Sequence, residues 1–363
     1  MQLALSGLSA LQAWRTIRAR KVPATQFARM ELAAPNPSPA QRWTRRALAL
    51  DGLGLEGQPS EKRPLHVAVP SPETRIRMRG IASTVYSRLP EGSFVNVGNG
   101  VQLACPELVF AEAATQMQPA VLALLGMELC GGYSRDAANP RSGRVAFGAE
   151  PLTTPEKIAT FLDGARYLRS AKAAREMLPF VMGNAWSPME SVIALLARLD
   201  TDRLGYGLEG VELNPRVETA NGGTRVPDIL FAGTHVGLNY DGAGHFETDD
   251  DAPVPSRDKM LSDKQRDRDL AVAGYTVLPV TIEDLREDGG LDRVMSMVVK
   301  LIEDETGQEL AETRRTLAGP LDRSRRQRLI WSLLPGERGR RILSGGHADK
   351  LGDVMNFEEE LVF

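Results

Sequence analysis

A chain of 363 residues that is 42% hydrophobic and 25% charged can hold two or three domains with separate cores, and it is too apolar to be disordered. Two cysteines, Cys105 and Cys130, exclude a disulfide framework and a cysteine-based zinc site, and the four histidines (His66, His235, His245, His347) show no ligand spacing. The net charge of −3 is unevenly spread: residues 1–186 carry 22 Lys/Arg against 14 Asp/Glu, and residues 187–288 carry 10 against 20. A polyanionic partner such as DNA would be drawn first to the N-terminal half.

Residues 1–14 are uncharged and lack the basic region that opens a signal peptide. Leu3, Leu5, Leu8, Leu11 and Trp14 recur at helical spacing and predict an amphipathic helix over 3–20. No apolar run approaches the ~20 residues needed to cross a bilayer, so a soluble, cytoplasmic protein without a membrane partner is expected. A linker at Pro35–Pro39 and a basic helix at 39–50 carrying Arg42, Arg45 and Arg46 follow. Residues 64–104 contain the β-like runs LHVAV, SFVNV and VQLAC between glycines and prolines, which predict a small sheet. Between the first two of these runs, Arg75, Arg77 and Arg79 alternate as on an exposed strand face. They suit phosphate contacts, and they equally suit a charged edge that blocks strand-to-strand aggregation.

Helices are predicted at 106–127, 155–163, 168–182 and 188–199, with Thr154-Pro155 and Ser187-Pro188 marking two starts by an N-cap followed by proline at the first helical position. After Leu199 the pattern becomes short apolar runs: GLEGVEL, RVPDILFA, HVGLNYDG and, after a charged helix, YTVLPVT. These predict a mixed sheet flanked by helices. From Leu291 to about Leu334 the chain reads as helical and arginine-rich; Arg323, Arg325, Arg326 and Arg328 suit nucleic-acid contacts or a solvated helix face, and the solvated face is preferred. The fold class is therefore α/β (α+β). The expected organisation is N-terminal helices at 1–58, a small α+β module at 59–150, a helical connector at 151–186, a mixed-sheet domain at 187–288 and a helical extension at 289–363.

The chemistry concentrates in the hairpin of residues 225–241. A two-residue turn between Ala232 and His235, with Gly233 first, sets Asp228 opposite Asn239. Directly opposite residues share a face with Cβ atoms roughly 4.5–5.5 Å apart, and strand alternation adds Asp241 to that face. Convergent carboxylates repel unless a cation offsets them, and oxygen-rich sites of this kind suit Mg²⁺ or Mn²⁺. The same aspartates also fit a simpler role, ending exposed strands. Glu190 is equally double-edged, because Ser187-x-x-Glu190 is a capping box in which the glutamate reaches back to the Ser187 N–H.

The strings SPMES, RVPDILF, LNYDGAGH, DKQRDRDL and AGYTVLPVT follow the order and spacing of very-short-patch-repair-like PD-(D/E)XK nuclease domains. The segment from about Ser187 to Asp288 thus resembles that family, which implies a restriction-endonuclease-like mixed sheet and a metal-dependent DNA endonuclease or nickase. The resemblance implies a site of Glu190, Asp228, Asn239, Asp241 and His245, with Glu190, Asp228 and Asp241 holding Mg²⁺ (or Mn²⁺). Asp263, Arg266 and Leu270 match the helix that follows in the family. Asn239 is a departure, since most relatives place glutamate there, though this branch of the family tolerates a non-acidic residue. Pro279 stands where relatives often carry arginine, and Glu247, Asp249, Asp250 and Asp251 form an acidic cluster beside the site.

The runs LHVAVPSPETRIRMRG and VQLACPELVFAEAA resemble the middle region of AbiEi-type antitoxins and related bacterial regulators. That resemblance implies the alternative to catalysis, a DNA-binding regulator with a toxin partner in which the nuclease fold survives as a scaffold. The oligomeric state carries no sequence signal.

Overall fold

The computed structural model describes residues 3–30, 50, 52–219, 222–242 and 257–335, the side chains of 257–263 excepted. The linker at Pro35–Pro39, the basic helix with Arg42, Arg45 and Arg46, His245, the acidic cluster at 247–251 and the side chain of Asp263 lie outside the described residues. Two compact units divide the chain, one ending at Gly183 and the other beginning at Asn184. Among the described residues no helix is long and apolar enough to cross a membrane.

The first unit is built on a five-stranded sheet of β1 (Leu3–Leu5), β2 (Leu65–Val69), β3 (Ile81–Val85), β4 (Phe94–Gly98) and β5 (Val101–Ala104), in the order β3-β2-β1-β5-β4. The predicted runs LHVAV, SFVNV and VQLAC are three of these strands. Leu3–Leu5 corrects the expectation of a helix starting at residue 3: the triplet is the central strand, antiparallel to β2 and parallel to β5. A short apolar run has no period long enough to separate strand from helix, and pairing on both sides decides it. Leu3–Leu5 thus belongs to the same sheet as the strands of 59–150, so the described residues before 59 are not a separate helical segment.

Helix α1 (Gly7–Ala19) is also not amphipathic against solvent, because Gln12, Arg15 and Arg18 are buried along with its apolar residues. Each buried cation has partners. Arg15 grips Glu128 through Nε at 2.9 Å and Nη2 at 2.6 Å, while Arg18 donates to the carbonyls of Glu128, Gly131 and Glu150. Burial opposes the charge on Glu128, but the guanidinium groups of Arg15 and Arg135 outweigh it and hold the carboxyl below its usual range. The helix predicted at 106–127 is two, α2 (Pro106–Ala113) and α3 (Pro119–Cys130), since Pro119 can start a helix but not continue one. A two-stranded ladder of β6 (Tyr133–Ser134) and β7 (Ala146–Phe147) precedes α4 (Pro155–Gly164) and α5 (Ala171–Met177). Arg75, Arg77 and Arg79 are exposed around buried Ile76, so their alternation is real, but they lie before the edge strand β3, Arg79 in a turn, and not in a strand. Arg79 is paired with Glu61.

The second unit opens with α6 (Pro188–Arg198) and contains a four-stranded sheet of β8 (Val211–Leu213), β11 (Ile229–Phe231), β12 (Val236–Asp241) and β13 (Thr276–Thr281). A small ladder of β9 (Val217–Glu218) and β10 (Thr224–Arg225) lies between β8 and β11 in sequence. The sheet order is β13-β12-β11-β8; β11 runs antiparallel to β8 and β12, and β12 runs parallel to β13. The parallel step needs a crossover, and α7 (Arg257–Val272) supplies it, burying Leu270 against Val217 and Leu230. Pro279 fits because β13 is an edge strand, where a missing N–H is tolerated.

The described residues after 288 are not an extension of a finished domain. Helix α8 (Ile282–Arg286) packs on β13 and on α9 (Gly290–Thr306), α9 packs on β12 and β13, and α10 (Ala311–Ala318) and α11 (Pro320–Leu333) follow. Arg326, expected on a solvated face, is fully buried at 0% exposure. Its Nη1 donates to Asp292 at 2.8 Å, and its guanidinium lies 4.6 Å from the centre of the Tyr206 ring. Arg323, Arg325 and Arg328 are exposed as expected.

Candidate functional site at the end of the second sheet

The hairpin register follows the predicted one. Ile229 pairs with Leu238 and Leu230 with Gly237, which continues to Asp228 opposite Asn239. The turn itself differs. The Thr234 N–H donates to Phe231 O at 3.1 Å, and Gly233 occupies the third turn position at φ +81. Ala232 donates to Gly210 O and His235 to Glu305, so these two do not close a two-residue turn. Lengthening both arms of the loop equally leaves the strand register unchanged.

Beyond its last backbone pairs the ladder is carried by side chains. The Asp228 N–H donates to Asn239 Oδ1 at 3.0 Å, and the Tyr240 N–H donates to Asp228 Oδ2 at 2.6 Å. Asn239, 7% exposed, donates through Nδ2 to Asp267 Oδ1 on α7 at 3.4 Å. The amide so placed offers its N–H to a carboxylate, where a carboxylate at 239 would meet like charge. Asp241 ends β12, exposed.

Glu190 joins this sheet end from the first turn of α6. Ser187 Oγ accepts from Glu190 N at 3.2 Å, as an N-cap does. The Glu190 carboxylate, 8% exposed, reaches one residue further back than a capping box predicts: Oε2 accepts from Trp186 N at 2.8 Å and from Asn214 Nδ2 at 2.8 Å. Asn214 then links the helix to the strands, its own N–H donating to Asp228 O at 2.9 Å. One hydrogen-bonded chain therefore runs Trp186–Glu190–Asn214–Asp228–Asn239–Asp267. Sequence reasoning placed Glu190, Asp228 and Asn239 here and missed Asn214, Asn184 and Trp186. The available signal was the Asn214-Pro215 turn dipeptide.

Asn214 is 3% exposed and left-handed at φ +50. Its Nδ2 donates both to Glu190 and to Asn184 O at 2.8 Å, which fixes the orientation of the amide. Its Oδ1 is buried with no hydrogen-bond partner. Asn184, also left-handed at φ +64, returns Nδ2 to Leu213 O at 2.9 Å and to Asn214 O at 3.2 Å.

The expected three-carboxylate metal set of Glu190, Asp228 and Asp241 is not assembled. Among the described residues no three His, Cys, Asp or Glu side chains form a group that could hold a metal ion. The physical reason is that Glu190 is turned onto a backbone N–H and the Asn214 amide. Mg²⁺ is commonly held by one or two carboxylates while keeping several waters, and Asp228 and Asp241 are the carboxylates at this end of the hairpin. The buried Asn214 Oδ1 is a further oxygen that can accept a hydrogen bond.

No family model matches the chain, and no solved structure matches it. Two uncharacterized proteins of Mycobacterium tuberculosis, MT2308 and Rv2248, are each 29% identical to it over 164 residues, 39% of this chain and 54% of theirs. The chain thus spans about half the length of the curated relatives it matches.

Proposed function

We propose that the second unit is a restriction-endonuclease-like domain that hydrolyses phosphodiester bonds in DNA. The observation that carries this reading is the order α6-β8-β11-β12-α7-β13 with only β11 reversed in the sheet. It brings Asp228, Asn239 and Asp241 to one end of paired strands, and Asn214 bonds the Glu190 terminus of α6 to that end. Asp228 and Asp241 are the residues that would hold Mg²⁺ or Mn²⁺; Glu190 orients the site through Asn214. A bound ion of this type activates water and stabilises the charge that develops on a phosphodiester under attack.

A second reading is favoured by the contacts of Glu190 and Asn239, each of which is spent on hydrogen bonds within the fold. In it the protein is a DNA-binding regulator of antitoxin type with a toxin partner, and the nuclease fold is a scaffold. Nicking of supercoiled plasmid by the full chain, with Mg²⁺ or Mn²⁺, separates the two. The enzyme reading expects the wild type to nick and Asp228→Asn, which keeps an acceptor for the Tyr240 N–H, to spare the plasmid. If the wild type leaves plasmid intact, or the variant nicks equally, the regulator reading stands.

A further inference from the structure

Trp186 is 48% exposed. Of the other tryptophans among the described residues, Trp14 is buried and Trp331 is half-buried with its indole N–H on Arg286 O. An exposed tryptophan is usually free to rotate, but Trp186 is held at two points. Its indole Nε1 donates to Asn184 Oδ1 at 3.0 Å, and its backbone N–H donates to Glu190 Oε2 at 2.8 Å. Asn184 is itself fixed by three hydrogen bonds to residues 213–214, at the end of β8. The indole is therefore a pre-oriented apolar surface, open to solvent, at the head of the hydrogen-bonded chain that reaches Asp228. Exposed Arg216 follows Asn214 by two residues, between β8 and β9, and offers a cation to a phosphate.

We propose that Trp186 is a stacking platform for an unpaired nucleobase, so that the site takes DNA with a base out of the duplex stack. This rests on the DNA reading above and deepens it. Every base has a π-face, so such a platform selects unpaired over paired bases without selecting sequence. Holding the ring in advance lowers the ordering cost of binding, which a freely rotating tryptophan would incur.

The test uses the full chain and fluorescence anisotropy, with and without Mg²⁺, on three probes: an oligodeoxythymidine, an abasic oligonucleotide of equal length, and a blunt duplex. Trp186→Ala should weaken oligodeoxythymidine binding by about 10- to 100-fold and leave abasic and duplex binding and the melting temperature unchanged. Trp186→Phe should recover most of the loss, because a ring stacks without the Asn184 bond. Equal affinity of wild type and Trp186→Ala for oligodeoxythymidine would overturn the platform, as would an equal loss on the abasic probe. If the wild type binds none of the three probes, the DNA reading fails together with the platform. If it binds duplex or nicks plasmid while Trp186→Ala changes nothing, the platform alone fails.

Discussion

Glu190 occupies a position where a structural and a catalytic role predict different variants. Removing its carboxylate in Glu190→Ala strands the Trp186 N–H and takes one of the two acceptors from buried Asn214 Nδ2. Hydrogen bonds to a charged group contribute about 1.5–3 kcal/mol each, and a carboxylate in the first turn of a helix adds about 0.5 kcal/mol through the helix dipole. Part of this is recovered by water reaching Trp186, whose surroundings are exposed, so a net loss of about 3 kcal/mol is expected for the alanine variant. For a unit of this size each kcal/mol corresponds to roughly 2–4 °C, which places the fall in melting temperature at about 6–12 °C. Glu190→Gln retains an oxygen that can accept both hydrogen bonds and should lose no more than about 1 kcal/mol. Differential scanning calorimetry of the full chain reads both. The contact argument is refuted if the alanine variant melts with the wild type, or if glutamine is as damaging as alanine. With stability so separated, plasmid nicking by the stable Glu190→Gln variant reports whether the negative charge itself is needed.

Two further predictions concern the two units separately. In the first unit, Glu112 accepts from Gly7 N at 2.7 Å and from Tyr86 OH, and burial pushes its pKa up to about 7 from an ordinary 4.5. The folded form then keeps a proton that the unfolded chain releases. Stability on this account is fullest below about pH 4.5 and falls on the order of 3 kcal/mol as pH rises to about 7. Urea denaturation at both pH values should show the wild type losing that much relative to Glu112→Gln, and a constant difference would rule the account out. In the second unit, a Cβ on Gly237 would lie 2.6 Å from Ile229 O and 2.6 Å from Leu230 Cδ2, whereas one on Gly233 meets nothing within 4 Å. Gly237→Ala should therefore destabilise by about 2–3 kcal/mol through overpacking and Gly233→Ala by about 1 kcal/mol through its positive φ; urea midpoints in the reverse order would contradict the packing.

Where neighbours in sequence are also the partners, the chain could be read directly. Thr154 and Ser187 cap the helices that Pro155 and Pro188 begin. The turn read at Gly233 centres the hairpin so that Asp228 falls across from Asn239. That register survived an incorrect turn because the loop is longer by one residue on each side, which keeps the hairpin's centre in place. The α/β class was likewise legible from neighbouring residues.

Other features depended on residues far apart in the chain. Leu3–Leu5 is a strand because Val101–Leu103 and Val67 pair with it, a fact with no trace in its own spacing. Arg326 read as a surface residue, nothing local placed Arg15 and Arg18 in the interior, and only the buried acceptors Glu128 and Asp292 and the facing carbonyls account for all three. The candidate site divides along the same line. Its residue types and strand register were local information, while the turn of Glu190 toward Asn214 and Trp186 was not. A carboxylate goes to the donors that folding leaves nearest and least solvated, and those donors are chosen by tertiary packing.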